Sequence, residues 1–251
     1  MHSDTQSTDV FTIYPLRCLR GFCGCLVALG AGDELVWYKE FMGFIEKMVR
    51  QCRKPTGLFG RFVGMGMNIG HGRLRRWGLS HISINLDAFI LDVGCGGGKA
   101  VQELAHISSS GKVWGIDYSE EMVQLARKIN KKFVENGHVE IMHDSVSSLP
   151  FPDDMFNLVT AFEAYYFWPN LIDDLKEIKR VLKPGGTLLI ANEVYKHEKF
   201  EKRNLKWAKW GDMMLHTPEE YRGFLTEAGY MAVQIDDVPG KNWIAAIAKK
   251  E

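Results

Sequence analysis

Apolar and polar residues follow two different patterns before and after residue 89. In the earlier part, apolar residues recur every three or four positions, beginning with Phe41, Phe44, Ile45, Met48 and Val49. This period predicts an amphipathic helix, and the segment Pro55-Thr-Gly57 is expected to end it. In the later part, short continuous apolar runs alternate with segments of helical period. Such runs indicate strands buried on both faces of a parallel sheet, so an α/β domain is predicted.

The apolar runs of the later part predict seven strands. They are Phe89–Val93, Lys112–Asp117, Val139–His143 and the runs within residues 149–161, 187–190, 231–235 and 243–248. Thr217 and Pro218 predict the start of a helix, as its cap and its first residue. Residues 193–222 are longer than a simple connection between a strand and a helix, so an insertion is expected there.

A glycine-rich segment directly follows the first predicted strand. Gly94, Gly96, Gly97 and Gly98 permit a tight turn in which the backbone approaches a ligand closely, and residues 100–105 continue at helical spacing. Strand, glycine loop and helix together form the opening unit of a nucleotide-binding α/β fold. A dinucleotide fingerprint needs G-x-G-x-x-G, but a lysine stands at the third glycine position, which argues against an NAD-dependent oxidoreductase.

The spacing in this loop is acid-x-Gly-x-Gly-x-Gly, with the four positions filled by Asp92, Gly94, Gly96 and Gly98. It resembles the first motif of the class I S-adenosylmethionine-dependent methyltransferases. Two further segments are similar to that family: residues 149–161, in which Asn157 replaces the usual acid, and the Lys-Pro-Gly-Gly run at residues 183–186. The resemblance covers residues 89–190. It implies a Rossmann-like, doubly wound seven-stranded sheet, mostly parallel, with an antiparallel hairpin at one edge.

The resemblance also implies S-adenosyl-L-methionine as the cofactor. In that family an acid after the second strand, here Asp117, bonds the ribose hydroxyls, an adjacent ring, here Tyr118, stacks on adenine, and an acid after the third strand, here Asp144, takes the adenine amino group. The other interpretation of Asp117 is a helix start capped by Ser119, and both roles can hold together; for Asp144 the alternative is a solvated turn residue. The candidate cofactor-binding residues are Asp92, Gly94, Cys95, Gly96, Gly98, Asp117, Tyr118, Met122, Asp144, Ser145 and Phe162.

Aromatic residues follow the fourth predicted strand, where the resembled family places groups near the transferred methyl. The tetrapeptide that nucleic-acid and protein amide N-methyltransferases carry here is absent, so such substrates are not expected. Aromatic faces can surround a sulfonium or an electron-rich acceptor, although packing in the core is an equal interpretation. The candidate catalytic residues are His71, Glu163, Tyr165 and Tyr166. For His71, helix termination or packing is the alternative to proton transfer near neutral pH.

The 251-residue chain contains 46% apolar and 25% charged residues, as expected of a globular protein. Its 31 basic and 31 acidic residues cancel, so the overall charge gives no case for binding nucleic acid or an anionic membrane. The five cysteines lack the spacing of a metal or redox pair, and free thiols in a reducing cytoplasm are expected. No metal site is predicted.

Three regions are expected along the chain. Residues 1–41 are predicted to be a poorly ordered extension, whose apolar run is too short to span a bilayer, with Met42 as an alternative start. Residues 42–88 are predicted to form a helical cap and residues 89–251 the methyltransferase domain, with a lid at 193–222. The predicted activity is methyl transfer to a small-molecule acceptor, and a catalytically silent cofactor-binding subunit is the alternative. The sequence leaves the methylated atom and the oligomeric state open.

Overall fold

A computed structural model describes residues 33–251, apart from the side chains of residues 33–39, 58, 68 and 69. The chain divides into two units, Met1–Glu40 and Phe41–Glu251. Most of the extension predicted for residues 1–41 lies outside the described residues. The first helix, α1, begins at Asp33 and ends at Arg53, so helical structure starts before the predicted boundary at residue 42.

The second unit opens with helices and continues as an alternation of strands and helices. After α1 come α2 (Gly57–Gly70) and α3 (Gly72–Leu79). The alternating part consists of β1 (Phe89–Val93), α4 (Lys99–Ile107), β2 (Lys112–Asp117), α5 (Glu120–Ile129), α6 (Lys131–Glu135), β3 (Val139–His143), β4 (Phe156–Phe162), α7 (Leu171–Val181), β5 (Leu182–Asn192), α8 (Glu201–Gly211), α9 (Pro218–Glu227), β6 (Met231–Val238) and β7 (Trp243–Lys249).

The strands form one seven-stranded sheet within the described residues, in the order β3-β2-β1-β4-β5-β7-β6. Strands β1 to β5 pair in parallel, whereas β7 runs antiparallel to both β5 and β6. The predicted fold class is therefore confirmed, including the antiparallel edge hairpin. The strand order reverses between β1 and β4, and α/β sheets bind ligands in the crevice beyond the strand carboxyl ends at such a point.

Two hydrophobic clusters cover the two faces of the sheet. Neighbouring residues of β4 illustrate the division, because Val159 packs in the cluster with α7 and α9 while Leu158 packs in the cluster with α3, α4 and α5. Strands that are covered on both sides have continuous apolar sequences, which explains the runs that predicted them. Among the described residues, none of the helices has the length and apolar character needed to cross a bilayer.

The turn between α1 and α2 packs on the start of α5, beside the carboxyl end of β2. The hydroxyl of Ser119 donates to the carbonyl of Pro55 over 2.8 Å, and the amide of Gly57 donates to the carboxylate of Glu121 over 3.2 Å. At the far side of the same cap, the guanidinium of Arg53 pairs with Asp212 just after α8. These contacts hold α1 and α2 close to the strand ends where a ligand site is expected.

Candidate active site

The glycine loop after β1 has a backbone conformation that is strained for any residue with a Cβ. Gly94, Gly96 and Gly98 have φ values of 71°, 51° and 79°, in the left-handed region where a Cβ is strained. A Cβ on Gly94 would also lie 2.5 Å from the Cβ of Ala164, whereas one on Gly96 would meet no atom within 4 Å. The amides of Gly94 and Cys95 both donate to the carbonyl of Ile116 over 2.9 Å. The loop is thus fixed between β1 and β2 and leaves open space in front of Gly96.

Asp117, at the end of β2, is bound to this loop. One carboxylate oxygen accepts from the amide of Gly96 over 2.8 Å, and the other accepts from the amide of Ser119 over 2.9 Å. Burial raises the pKa of Asp117, while these two amide bonds and the nearby His143 oppose the increase. A carboxylate has about four lone-pair sites in total. Asp117 therefore keeps the capacity to accept further hydrogen bonds from a ligand.

Ser119 precedes α5 as predicted, but its hydroxyl does not cap the helix. It donates to Pro55 instead. The prediction that the Ser119 side chain caps the helix was wrong. The α1–α2 turn supplies the acceptor for its hydroxyl, and the local sequence gives no sign that this turn lies there. The amide of Ser119 donates to the carboxylate of Asp117.

Asp92 is fully buried at the end of β1. The hydroxyl of Thr160, on the neighbouring strand β4, donates to its carboxylate over 2.7 Å. Burial raises the pKa of Asp92 to about 7, although the Thr160 bond and the charge of Arg75 act in the opposite direction. This carboxyl therefore lies behind the glycine loop, bonded to the sheet.

The remaining predicted cofactor residues lie around Asp117 or in the core. The hydroxyl of Tyr118 donates to the carbonyl of Arg53, and its ring is partly exposed. Met122 is buried beneath α2, and the amide of Asp144 donates to the carbonyl of Asp117 over 3.2 Å. Exposed Ser145 donates its amide to Asp144, buried Cys95 has a free thiol in the loop, and Phe162 packs in the core against Gly78 of α3.

Four polar side chains meet at the ends of β4 and β5. Glu163 directly follows β4 with φ at 57°, and its carboxylate accepts from the hydroxyl of Tyr166 over 2.6 Å and from the amide of Glu193. Nδ1 of His71, which joins α2 to α3, lies 3.6 Å from Glu163 and 3.8 Å from the carboxylate of Glu193. The acid cluster, defined as His71, Glu163, Tyr166 and Glu193, thus combines residues from three separate parts of the chain.

Burial sets the protonation behaviour of the acid cluster. It raises the pKa of Glu163 to about 7, against the opposing effect of its hydrogen bonds, and it raises the pKa of Glu193 to about 7 with help from the neighbouring charge of Glu163. Burial also lowers the pKa of His71. Nδ1 of His71 is buried and makes no hydrogen bond within the described part of the chain. Near neutral pH, His71 is therefore neutral and the carboxyls are poised to exchange protons.

Tyr165 does not join the acid cluster. Its hydroxyl lies 2.8 Å from Nδ1 of His216, and its ring stacks on Tyr221 at a centroid distance of 4.6 Å. The short 3-10 turn Tyr165–Phe167 directs neighbouring side chains to different surroundings, which separates Tyr165 from Tyr166. The core interpretation of the aromatic segment fits buried Tyr165, whereas Tyr166 reaches the acid cluster.

Two residues of this region were not predicted from the sequence. Glu193 follows β5 as Glu163 follows β4, and parallel neighbouring strands bring such residues together. The acid at the end of the fifth predicted strand was therefore a sequence feature from which Glu193 could have been identified as a site residue. His216 directly precedes the helix start predicted at Thr217, and its contact with Tyr165 has no local sequence signal.

The doubly wound sheet and its glycine loop define a class of α/β proteins that bind adenosine-containing ligands at the carboxyl ends of the strands. Residues 91–190 match the methyltransferase domain family. Together with the similar proteins and the shared fold, this match supports a methyltransferase domain of the class I S-adenosylmethionine-dependent type over these residues. The resemblance seen in the glycine loop and the Lys-Pro-Gly-Gly run is thereby confirmed.

Similar curated proteins include two differently named methyltransferases. Demethylmenaquinone methyltransferase of Lysinibacillus sphaericus is 33% identical over 112 residues, covering 44% of this chain and 47% of that protein. O-methyltransferase cnsE of Penicillium expansum is 31% identical over 150 residues, covering 59% of this chain and 54% of that protein. The aligned parts span about half the length of these relatives. A solved methyltransferase from Aquifex aeolicus shares the fold, with a TM-score of 0.62, 21% identity, and coverage of 76% and 98% of the two chains.

Proposed function

We propose that this protein transfers a methyl group from S-adenosylmethionine to a small-molecule acceptor held at the acid cluster. One observation carries the proposal: the glycine loop contacts Ala164, the chain neighbour of Glu163 in the acid cluster. Ala164, which directly follows Glu163, approaches Gly94 so closely that a Cβ on that glycine would lie 2.5 Å away. A ligand in front of the loop and a second ligand at Glu163 would therefore be neighbours.

The loop and Asp117 fit the proposed cofactor. Open space in front of Gly96 provides a backbone cradle, and the buried carboxylate of Asp117 keeps acceptor capacity for two hydroxyl groups. Asp144 lies next to Asp117 through its amide, where the family places an adenine contact. Tyr118 fits an adenine platform because its ring is partly exposed at the same edge. When bound, S-adenosylmethionine supplies a methyl group activated by a sulfonium.

The acid cluster would orient the acceptor and take its proton. An acceptor that bears a hydroxyl can donate a hydrogen bond to the carboxylate of Glu163, which Tyr166 and the Glu193 amide hold in one orientation. As the acceptor gains the methyl group, its proton passes to Glu163 or to neutral His71. Positioning of the two reactants in a buried site contributes much of the rate for so activated a donor.

The relatives support a small acceptor without identifying it. Demethylmenaquinone methyltransferase and O-methyltransferase cnsE are named for different reactions, so neither name determines the atom methylated here. The direct experiment incubates the protein with methyl-deuterated S-adenosylmethionine and fractionated cell extract, and mass spectrometry then searches for deuterium-labelled small molecules. Asp117→Ala and heat-inactivated protein are the controls. A labelled product that only the wild type forms supports the proposal, and cofactor binding without any product would support a silent binding subunit.

A further inference from the structure

Helix α2 exposes three large apolar side chains. Its exposed positions include Phe59, Phe62 and Met65, while two glycines, Gly60 and Gly64, occupy buried positions. A Cβ on Gly64 would lie 2.6 Å from the sulfur of Met122, so this side of the helix is packed against α5. A surface helix of a globular protein ordinarily shows the reverse arrangement, with its apolar stripe toward the core.

A neighbouring ring extends this surface. Exposed Phe44 of α1 contacts Phe59 edge to face, with ring centroids 6.0 Å apart. The α2 patch is defined as Phe44, Phe59, Phe62 and Met65. Single exposed apolar residues are normal, but a contiguous group of large ones indicates an interaction surface.

The segment that carries the patch is strongly basic. Residues 41–80 contain eight lysines and arginines and one acid, a net charge of +7 in a chain whose formal charge is zero. The basic residues are Lys47, Arg50, Arg53, Lys54, Arg61, Arg73, Arg75 and Arg76. Within the described residues, exposed Arg73 and Arg76 and half-buried Arg61 form no ion pair. The overall neutrality seen in the sequence therefore conceals a local excess of positive charge.

We propose that the α2 patch docks on the surface of an anionic lipid bilayer. Apolar side chains that insert at the headgroup boundary and basic side chains that pair with anionic headgroups are the two components of such binding. Residues 41–80 present both, the apolar side chains in the α2 patch and the basic side chains in the same segment. Charge complementarity selects an anionic bilayer, and the four large apolar side chains exceed what electrostatic binding of a nucleic acid requires.

The docked helix leads directly into the candidate active site. Gly70 ends α2, and the next residue is His71 of the acid cluster. An acceptor dissolved in the bilayer would thus reach the cleft beside the helix that holds the protein on the surface. This extension to a lipid-soluble acceptor rests on the proposed function, whereas docking itself does not.

Vesicle flotation of the full-length protein tests the docking. Vesicles of equal parts phosphatidylcholine and phosphatidylglycerol are expected to carry the wild type upward, and vesicles of phosphatidylcholine alone or high salt are expected to weaken binding. Phe62→Ser should reduce the partition coefficient at least about tenfold, since Phe62 is 68% exposed and its loss removes inserted apolar area. Arg61→Gln should reduce it about fivefold, the effect of one basic residue near an anionic surface.

Matched control variants distinguish vesicle binding through the α2 patch from nonspecific binding. Leu86→Ser removes an apolar side chain that is 63% exposed before β1, and Lys128→Gln removes an exposed cation of α5; both should float like the wild type. Absence of wild-type binding to the anionic vesicles, or equal binding of Phe62→Ser and Leu86→Ser, would overturn the proposal. So would an effect of Phe62→Ser confined to self-association in sedimentation or to oligonucleotide binding.

A measurement of cofactor affinity distinguishes the two proposals. Calorimetry of Phe62→Ser with S-adenosylmethionine should match the wild type, because the side chain lies on the outer face of α2. Vesicle binding by a protein that fails to bind S-adenosylmethionine would retain the docking surface and reject the proposed function.

Discussion

Glu163 is the residue on which the proposed proton transfer depends. It adopts a left-handed backbone conformation, which costs a non-glycine residue roughly 1–3 kcal/mol, and this conformation places its carboxylate beside His71 and Tyr166. Since burial raises its pKa to about 7, the ionised form appears only as the pH rises through neutrality. The same residue therefore links the geometry of the site to a measurable pH dependence.

Replacing Glu163 by Gln is expected to slow methyl transfer by about 10²–10⁴-fold, the usual contribution of a general base. The wild-type rate should rise with pH through about 7, and this rise should be lost in Glu163→Gln. The measurement is the pH-rate profile of both proteins once a labelled product is in hand. Profiles of the same shape would assign the carboxylate a binding role only.

The stability of the same variant depends on pH in a defined direction. The folded protein keeps a proton on Glu163 between its ordinary pKa of 4.5 and about 7, where the unfolded chain has released it. The carboxyl therefore lowers the free energy of unfolding as pH rises through this window. Relative to wild type, Glu163→Gln should gain about 1–3 kcal/mol above pH 7 and little near pH 4.5. Thermal unfolding at both pH values checks this, and a constant difference would contradict it.

Gly94 offers a test of the loop itself. Ala at this position would have a strained φ and a Cβ only 2.5 Å from Ala164, whereas Gly137 has a similar φ of 77° with no atom within 4 Å. Gly94→Ala should therefore lose about 1–3 kcal/mol of stability beyond the loss in Gly137→Ala. It should also weaken S-adenosylmethionine binding, which Gly137→Ala should leave unchanged. Denaturant titration measures the stability and calorimetry measures the affinity for S-adenosylmethionine. Equal losses of stability in the two variants would show that Ala164 moves aside without an energetic penalty.

At the scale of elements, the contact between α2 and α5 is one that the sequence did not reveal. Gly64 faces Met122 of α5, while Gly66 of the same helix faces open space. The two glycines look equivalent in sequence, but only one of them permits close helix packing.

Leucine at each of these glycines should have opposite effects. Gly66→Leu is expected to stabilise the protein by up to about 1 kcal/mol, because leucine favours helix more than glycine does. Gly64→Leu should destabilise it by about 1–3 kcal/mol through overpacking, and should weaken cofactor binding by displacing α2 from the site. Thermal unfolding measures the stability of both variants, and calorimetry measures their affinity for the cofactor. Two equally stable proteins would mean that α2 does not pack on α5.

Much of the element structure follows from local sequence. The predicted bounds of β1 and β3 agree with the structure, and Thr217 and Glu220 form a reciprocal cap at the start of α9, where Thr217 was predicted to cap the helix. Continuous apolar runs and turn residues act within a few positions, so the sequence displays them directly. The junction of His71 with Glu163 and Glu193 could not be predicted in the same way. It depends on how α2, β4 and β5 are placed in space, and side-chain spacing along the chain does not record that placement.

At the scale of the whole molecule, charge is distributed unevenly. The +7 net charge of residues 41–80 is balanced by an equal negative excess elsewhere, since the chain is neutral overall. Overall composition predicted a protein without an electrostatic partner, because it averages over surfaces that the fold keeps apart. Charge counted by segment would have shown the basic cap.

A shortened chain tests how far the second unit is independent. A chain beginning at Met42 is expected to keep its affinity for S-adenosylmethionine, because the residues proposed to hold the cofactor begin at Asp92, within the unit Phe41–Glu251. This shortening removes residues 33–41 of α1, so a chain beginning at Asp33 is the matched control. Calorimetry and thermal unfolding compare the two. Loss of binding in the shorter chain alone would show that the start of α1 supports the site.

The central claim is that the glycine loop and Asp117 form a site for S-adenosylmethionine. Isothermal titration calorimetry of the full-length protein with S-adenosylmethionine, its demethylated product and NAD tests it most directly. Both adenosyl compounds should bind and NAD should not. Asp117→Ala should lose about 2–4 kcal/mol of binding free energy, because charge-assisted hydrogen bonds are removed, while Asp87→Ala, which removes an exposed acid before β1, should bind normally. Binding of NAD alone, or unchanged affinity in a folded Asp117→Ala protein, would contradict the claim.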